Sequence, residues 1–232
     1  MMNFLSSVHN FAGRRRKSAA TIFTLGLIGI SIGCLKQMLF WGYLIGGPPS
    51  IEPDFEKMTK ESLTDPDVTV AVVCYAPPEL KLDNSDIDED IAKYVSHRLA
   101  KKKVKVITPG RVQEWLDKNP EWDKPEEVGE FFKTTYVIFI EMEDYNLYEK
   151  GNQDLYRGRA EVSVSVWKMD DDGTAEAIYR KQLTSQFPLV VGTPTTEITY
   201  SRFKRRYLSR LSEEIGRLFY EHFNGDDIPD AT

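Results

Sequence analysis

The chain contains few of the residues on which most enzyme and metal sites depend. Its 232 residues include only two cysteines, Cys34 and Cys74, and three histidines. Two cysteines exclude a disulfide framework. The sequence has no CxxC, HxxxH or HExxH motif and no glycine-rich phosphate loop. We therefore expect no metal ion and no cofactor.

Acidic residues are missing from the first 51 positions. Five of the 30 basic residues precede Glu52, so residues 52–232 carry 25 basic and 36 acidic side chains, a net charge of −11. A nucleic-acid backbone attracts the opposite sign of charge. We expect no nucleic-acid partner.

The N-terminal region has the pattern of an export signal. Residues 14–17 read Arg-Arg-Arg-Lys and stand directly before the uncharged stretch 18–35. The positive-inside bias keeps such cations in the cytoplasm while the chain that follows crosses the membrane. We predict a membrane-anchored protein that faces the periplasm or the cell exterior.

Two modes of anchoring are open, and cleavage with release of the exported chain is a third outcome. Residues 30–34, Ile-Ser-Ile-Gly-Cys, are similar to a lipoprotein signal in which Cys34 is lipidated, although Ser31 stands where that pattern prefers leucine. Apolar residues resume after Lys36 and continue to Ile45, so an uncleaved transmembrane helix within residues 18–45 also fits. Lys36 can then reach the membrane interface.

The remaining chain divides by composition into a linker, one domain and a tail. Gly46 to Ser50 breaks any helix, and the polar residues as far as Pro66 lack periodicity, so we interpret residues 46–66 as a tether. Residues 67–224 are long enough for one domain with its own core. Residues 225–232 form an acidic tail, which we expect to be disordered.

Hydrophobic periodicity predicts an α/β (α+β) domain. Strands are expected at 68–74, 104–107 and 136–142, with helices between them, followed by two hairpin strands around 160–166 and 178–186. Apolar residues at helical spacing then predict a long amphipathic helix from about Ser201 to Phe223, with Gly225 as its stop. The expected fold is a single mixed sheet of about five strands flanked by helices.

This order of elements resembles a domain found in several envelope proteins. The strand at 68–75, the basic helix end before the strand at 104–107, the helix after Pro109 and the segment Thr134 to Ile140 are similar to the domain shared by the N-terminal part of TolB, the curli-secretion lipoprotein and the lipoprotein activators of penicillin-binding proteins. Residues 46–55 and 208–216 resemble segments of uncharacterised exported planctomycete proteins. The resemblance implies a setting in the cell envelope and no particular activity.

Two places could carry catalysis. Cys74 stands near the carboxyl end of a central strand, where open α/β sheets bind ligands, but no histidine is expected to face it, so we interpret Cys74 as a buried structural residue. The carboxylates Glu141, Glu143 and Asp144 end another strand and could in principle form an acid/base pair. Acidic residues are abundant in this chain, and we expect that the protein is not an enzyme.

A partner surface is predicted near the last helix. Its first turns gather cations, where the helix dipole makes them unfavourable. An apolar stretch lies in the irregular connection just before the helix. The candidate partner-binding residues are Pro188, Leu189, Val190, Val191, Arg202, Arg205, Arg206 and Arg210.

Three functions therefore stay open. The first is a membrane-anchored, non-enzymatic accessory or assembly protein of the cell envelope that binds another envelope protein or its own copies. The second is a domain that binds or senses a small ligand at the strand ends. The third is a hydrolase that uses Cys74 or the carboxylates after residue 140.

The lipid-anchor mode makes a direct prediction. If Cys34 is lipidated, radiolabelled palmitate enters the wild-type protein and is absent from Cys34→Ala, and the mature chain lacks the 33 residues before Cys34. Mass spectrometry of the purified protein checks the second point. A full-length N-terminus would exclude this mode and leave the transmembrane helix.

Overall fold

The structure is a computed structural model that describes residues 50–223. The predictions for the anchor at 18–45, for Cys34, for Gly225 and for the tail at 225–232 lie outside the described residues. Within residues 50–223, every helix is too short or too polar to cross a bilayer.

Seven strands and six helices make up the described part of the chain. The strands are β1 (Ser50–Ile51), β2 (Val70–Tyr75), β3 (Tyr136–Glu149), β4 (Asn152–Met169), β5 (Ala175–Phe187), β6 (Thr193–Pro194) and β7 (His222–Phe223). The helices are α1 (Asp54–Thr59), α2 (Pro78–Lys81), α3 (Ile87–Lys101), α4 (Pro109–Lys118), α5 (Pro125–Phe132) and α6 (Tyr200–Gly216).

The main sheet is mixed and has five strands, as the sequence predicts. Its order is β2-β3-β4-β5, with β6 paired to the start of β4. β2 and β3 are parallel, whereas β3, β4 and β5 pair antiparallel. The strand predicted at 104–107 is reduced to one parallel bridge between Val70 and Val106, and β6 takes its place in the count.

Burial of β2 on both faces explains why helices cover both sides of the sheet. Val70, Val72 and Cys74 pack into a large core with α3 and α6, and Ala71 and Val73 pack into a smaller core with α4 and α5. A strand that is apolar at every position can be buried only between two such layers.

Helix α3 matches its prediction closely. Ile87, Ile91, Val95 and Leu99 recur every four residues and are all fully buried. Acidic residues occupy the first turn and basic residues the last, an order that complements the helix dipole.

The hairpin of β3 and β4 is much longer than predicted. The sequence pattern indicates a strand end at Met142, but β3 continues to Glu149 and β4 already begins at Asn152. The register of the two strands shifts three times between Met142 and Glu149. The prediction ended the strand where the continuous apolar run stops, whereas the polar residues after Met142 still pair with β4 across these bulges.

Helix α6 ends earlier than predicted. It stops at Gly216, and the apolar residues after it follow a tighter turn into β7. The backbone N–H of Phe55 donates to the carbonyl oxygen of Leu218 at 3.0 Å. The N-terminal segment thus takes up a carbonyl group that a continuing helix would have used, and Phe219 still becomes fully buried.

From residue 50 onward, the segment interpreted as a tether is part of the folded unit. β1 pairs with β7, and Phe55 of α1 and Leu63 have no solvent exposure. The Phe55 ring lies 6.1 Å from Tyr136, 5.6 Å from Tyr179 and 5.9 Å from Phe219. Apolar residues in this segment are too widely spaced to form a periodic pattern, so only the tertiary contacts show their role.

Two carboxylates also tie this segment to the sheet. The hydroxyl of Tyr179 donates to Asp54 at 2.9 Å, and the hydroxyl of Tyr136 donates to Glu61 at 2.5 Å, where Lys168 also binds. Partial burial by itself raises the pKa of both carboxyls, but the hydrogen bonds and the neighbouring lysines outweigh it and lower each pKa.

We predict that Phe55→Ala costs about 3 to 5 kcal/mol of unfolding free energy, because it leaves a cavity between three aromatic rings. Equilibrium urea unfolding of the full chain measures this loss. Met58→Ala, on the same helix but 61% exposed, is the matched control and should change stability by less than about 0.5 kcal/mol. Equal effects of the two substitutions would contradict the packing of this segment.

Candidate functional site

Cys74 lies at the carboxyl end of β2 and is buried. Its side chain is 4% exposed, and burial, assisted by Asp88, raises the pKa of the thiol well above its ordinary value. A cavity of about 240 Å³ adjoins it, and no histidine is among the described residues that line that cavity. A protonated, enclosed thiol is a poor nucleophile.

The three candidate carboxylates of β3, Glu141, Glu143 and Asp144, have different surroundings. Glu141 lines a cavity together with Arg180, Glu143 accepts a 2.9 Å hydrogen bond from Gln182, and Asp144 lines a groove beside Tyr145. The bulge between Met142 and Asp144 helps to separate them. Glu141 and Asp144 therefore line different cavities.

The connection from β5 to α6 exposes an apolar surface, as the sequence suggests. Leu189, Val190 and Val191 are 68%, 84% and 69% exposed, and Pro188 is half-buried. We call residues 188–191 the apolar tip. Three adjacent aliphatic side chains with this exposure are unusual for a domain that has a well-filled core.

The apolar tip is held in this position by its backbone. Arg157 donates to the carbonyl oxygen of Val190 at 2.8 Å, and Gln186 donates to that of Leu189 at 3.4 Å. On the far side of the tip, β6 pairs with Leu155 and Tyr156 of β4. The aliphatic side chains are therefore presented outward by an anchored segment.

Cations of α6 lie beside the apolar tip. Arg202, Arg206 and Arg210 are four residues apart and so share one side of the helix; we call them the arginine stripe. The guanidinium groups of Arg206 and Arg210 lie 5.5 and 5.2 Å from the ring centre of Phe187, which directly precedes the tip. Phe187 thus joins the two predicted patches.

The arginines of the stripe differ in whether an acidic side chain neutralises their charge. Arg210 pairs with Glu214 at 2.9 Å. Arg202 is exposed, and among the described residues its side chain has no hydrogen bond or ion pair. Arg202 therefore bears the unfavourable position near a helix N-terminus without a compensating contact in residues 50–223.

Arg205 is one turn from Arg202 and lies on the side of the stripe that faces α3. It lines a separate groove between α6 and α3, together with Tyr94 and His97. Its neighbour Lys204 pairs with Asp90 of α3 at 2.8 Å. The sequence groups Arg205 with the other arginines because they are close along the chain. It gives no direct sign that Phe187 belongs to this surface, apart from its position just before Pro188.

Comparisons with known proteins give the following findings. No family model and no curated protein matches the chain. Among solved structures, a PelC dodecamer from Paraburkholderia phytofirmans has a TM-score of 0.44 at 10% identity, over 74% of this chain and 98% of that one. A hypothetical protein of Chlamydia trachomatis has 0.42 at 18%, over 66% and 91%. Lipoprotein GNA1162 of Neisseria meningitidis has 0.38 at 12%, over 64% and 97%. At these scores and identities the likenesses carry no functional conclusion.

We predict that Cys74→Ala loses at most about 3 kcal/mol of unfolding free energy, the range expected for a small truncation in a core. In a Cys34→Ala background, the remaining thiol should also resist iodoacetamide at neutral pH until the protein is denatured, because it is enclosed and protonated. Mass spectrometry of the alkylated protein checks this. Rapid labelling of the folded chain would show an accessible thiolate and revive the hydrolase hypothesis.

Proposed function

We propose that this chain is a membrane-anchored, extracytoplasmic accessory or assembly protein of the cell envelope, and that it acts without catalysis. The residues before Ser50 supply the anchor. The domain binds another envelope protein through the apolar tip and the arginine stripe.

The single observation that carries this proposal is the geometry of the apolar tip. Leu189, Val190 and Val191 stay more than two-thirds exposed although their backbone is fixed by hydrogen bonds. Burying a Leu or Val side chain in an interface contributes about 1.5 to 3 kcal/mol. In the free domain these side chains stay in water and this burial free energy is absent. It becomes available when a partner covers the apolar tip.

Charge specifies the kind of partner. Arg202 has no acidic partner in residues 50–223, and it stands on the same side of α6 as the arginines that contact Phe187. A partner with an apolar pocket rimmed by carboxylates would satisfy both patches at once. Because residues 52–232 themselves carry a net charge of −11, a second copy of this chain offers the required sign as well.

The apolar tip and helix α1 contact different parts of the sheet. The ring of Phe55 in α1 lies 5.6 Å from that of Tyr179, which pairs with Val166 of β4, whereas Phe187 pairs with Gly158. These two places are eight residues apart on β4, or about 26 Å at 3.3 Å per residue. The base of the apolar tip is therefore well separated from α1 along the sheet.

The proposal is tested by crosslinking in native membranes. We expect the double variant Val190→Asp with Arg202→Glu to lose its crosslinked partner, because it places two negative charges on a surface that meets apolar and acidic groups. Its thermal midpoint should stay within a few degrees of the wild type, since both side chains are exposed. Circular dichroism of the purified full chain measures the midpoint.

Arg205→Glu is the matched control, because it makes the same charge change on the same helix but outside the stripe. It should retain the crosslinked partner. If both variants retain that partner, or if the double variant unfolds, the apolar tip is not the interface. The mass of the crosslinked product distinguishes a second copy of this chain from a different protein.

A further inference from the structure

A second surface of the domain, on the other side of the start of α6, forms a groove. It lies where β2 ends and β3 continues alone as the edge of the sheet, and its volume is about 990 Å³. Tyr145 and Tyr148 of β3 and Tyr200 of α6 form part of its wall. We call it the tyrosine groove. Ligands of open α/β sheets bind at this kind of position, outside the carboxyl ends of parallel strands.

One residue that lines the groove, Tyr145, carries a buried hydroxyl without a hydrogen-bond partner within residues 50–223. Tyr145 is only 4% exposed, and among the described residues its hydroxyl has no hydrogen-bond partner. By contrast, the hydroxyl of Tyr200 donates to Asn84 at 3.0 Å. A buried hydroxyl without a partner is rare and destabilising. A hydrogen-bond donor that enters the groove would relieve it.

The charges around the groove are unbalanced. Glu79, Asp83 and Asp144 line it, and none has an ion pair or hydrogen bond to its carboxylate among residues 50–223. Glu149 is neutralised, since Arg157 lies 2.9 Å away and Arg159 lies 3.9 Å away. Lys150 is the one lining cation that has no ion pair within the described residues. The groove therefore presents excess negative charge.

Among residues 50–223, no group of three potential metal ligands is close enough to hold an ion. The groove also has aromatic faces: the rings of Tyr148 and Tyr200 stack at 6.2 Å, and Tyr200 is 37% exposed. Separated carboxylates combined with tyrosine rings suit an organic cation, which is attracted by both.

We propose that the tyrosine groove binds the guanidinium or ammonium group of a basic side chain presented by another polypeptide. The cation lies between Glu79, Asp83 and Asp144 against the Tyr148–Tyr200 pair, and one of its N–H groups donates to the hydroxyl of Tyr145. This site is separate from the apolar tip and does not depend on the function proposed above.

The test uses the full chain in detergent micelles with ring-labelled tyrosines, followed by NMR at low salt. Nα-acetyl-arginine-N-methylamide is the probe, and the neutral isostere Nα-acetyl-citrulline-N-methylamide is its control. We expect the arginine probe to shift the Tyr145, Tyr148 and Tyr200 signals saturably. The citrulline probe should bind at least about tenfold more weakly, because it lacks the charge.

Substitutions identify the groups that bind. Asp144→Asn combined with Glu79→Gln should weaken the arginine probe at least about tenfold, and Tyr145→Phe should weaken it while leaving the fold intact. Glu143→Gln is the matched control: it neutralises the adjacent carboxylate, which pairs with Gln182, and should leave binding unchanged. Equal binding of both probes, no binding of either, or wild-type affinity in the double variant would overturn the proposal.

The two proposals fail in different ways. The groove variants should retain the partner that is crosslinked through the apolar tip, and the tip variants should retain the arginine probe. Loss of both activities in every variant would mean that the substitutions act on folding, which circular dichroism of the same samples detects.

Discussion

The parallel pairing of β2 with β3 is the constraint on which the rest of this structure depends. β2 is buried along almost its whole length on both faces, so a layer of helices is needed on each side of the sheet. Parallel neighbours also require a long crossover, and α2 to α5 occupy it. The crossover places β3 beside β2, and within residues 50–223 the second half of β3 has no neighbouring strand on the β2 side. The tyrosine groove lies along that free edge.

Helix α6 connects the two surfaces that this arrangement leaves open. Tyr156 stacks on Phe203 with ring centres 5.0 Å apart, and Phe203 lies 6.2 Å from Phe187, which contacts the arginine stripe. On the groove side, Tyr148 lies 5.3 Å from Tyr156. A row of packed rings thus joins the tyrosine groove to the apolar tip through the core. Aromatic pairs of this kind add about 0.5 to 1.5 kcal/mol each beyond the area they bury.

Close contact between α6 and the sheet depends on one glycine. A Cβ atom at Gly158 would lie 2.3 Å from the ring of Tyr207, a fully buried residue whose hydroxyl donates to the carbonyl oxygen of Ser185 at 3.3 Å. Any side chain at this position would push α6 away from β4. The same strand position pairs with Phe187, so the packing of Tyr207 also supports the base of the apolar tip.

The sequence by itself determined the elements in which the pattern of apolar residues matches the pattern of buried positions. The continuous apolar run of β2 and the four-residue spacing in α3 predict their structure because each records contact with the core. The end of α6, the role of Phe55 and the length of β3 were decided only by tertiary structure. The backbone N–H of Phe55 binds the carbonyl oxygen of Leu218, near the end of α6. Aromatic rings enclose the Phe55 side chain. Backbone pairing with β4 extends β3 through polar residues. For the same reason the sequence placed Arg205 and Arg206 in one cluster, while the helix turned them to different surfaces: Arg205 lines the groove beside α3, and Arg206 contacts Phe187. Local periodicity describes one face of one element, and a surface is made only when several elements pack together.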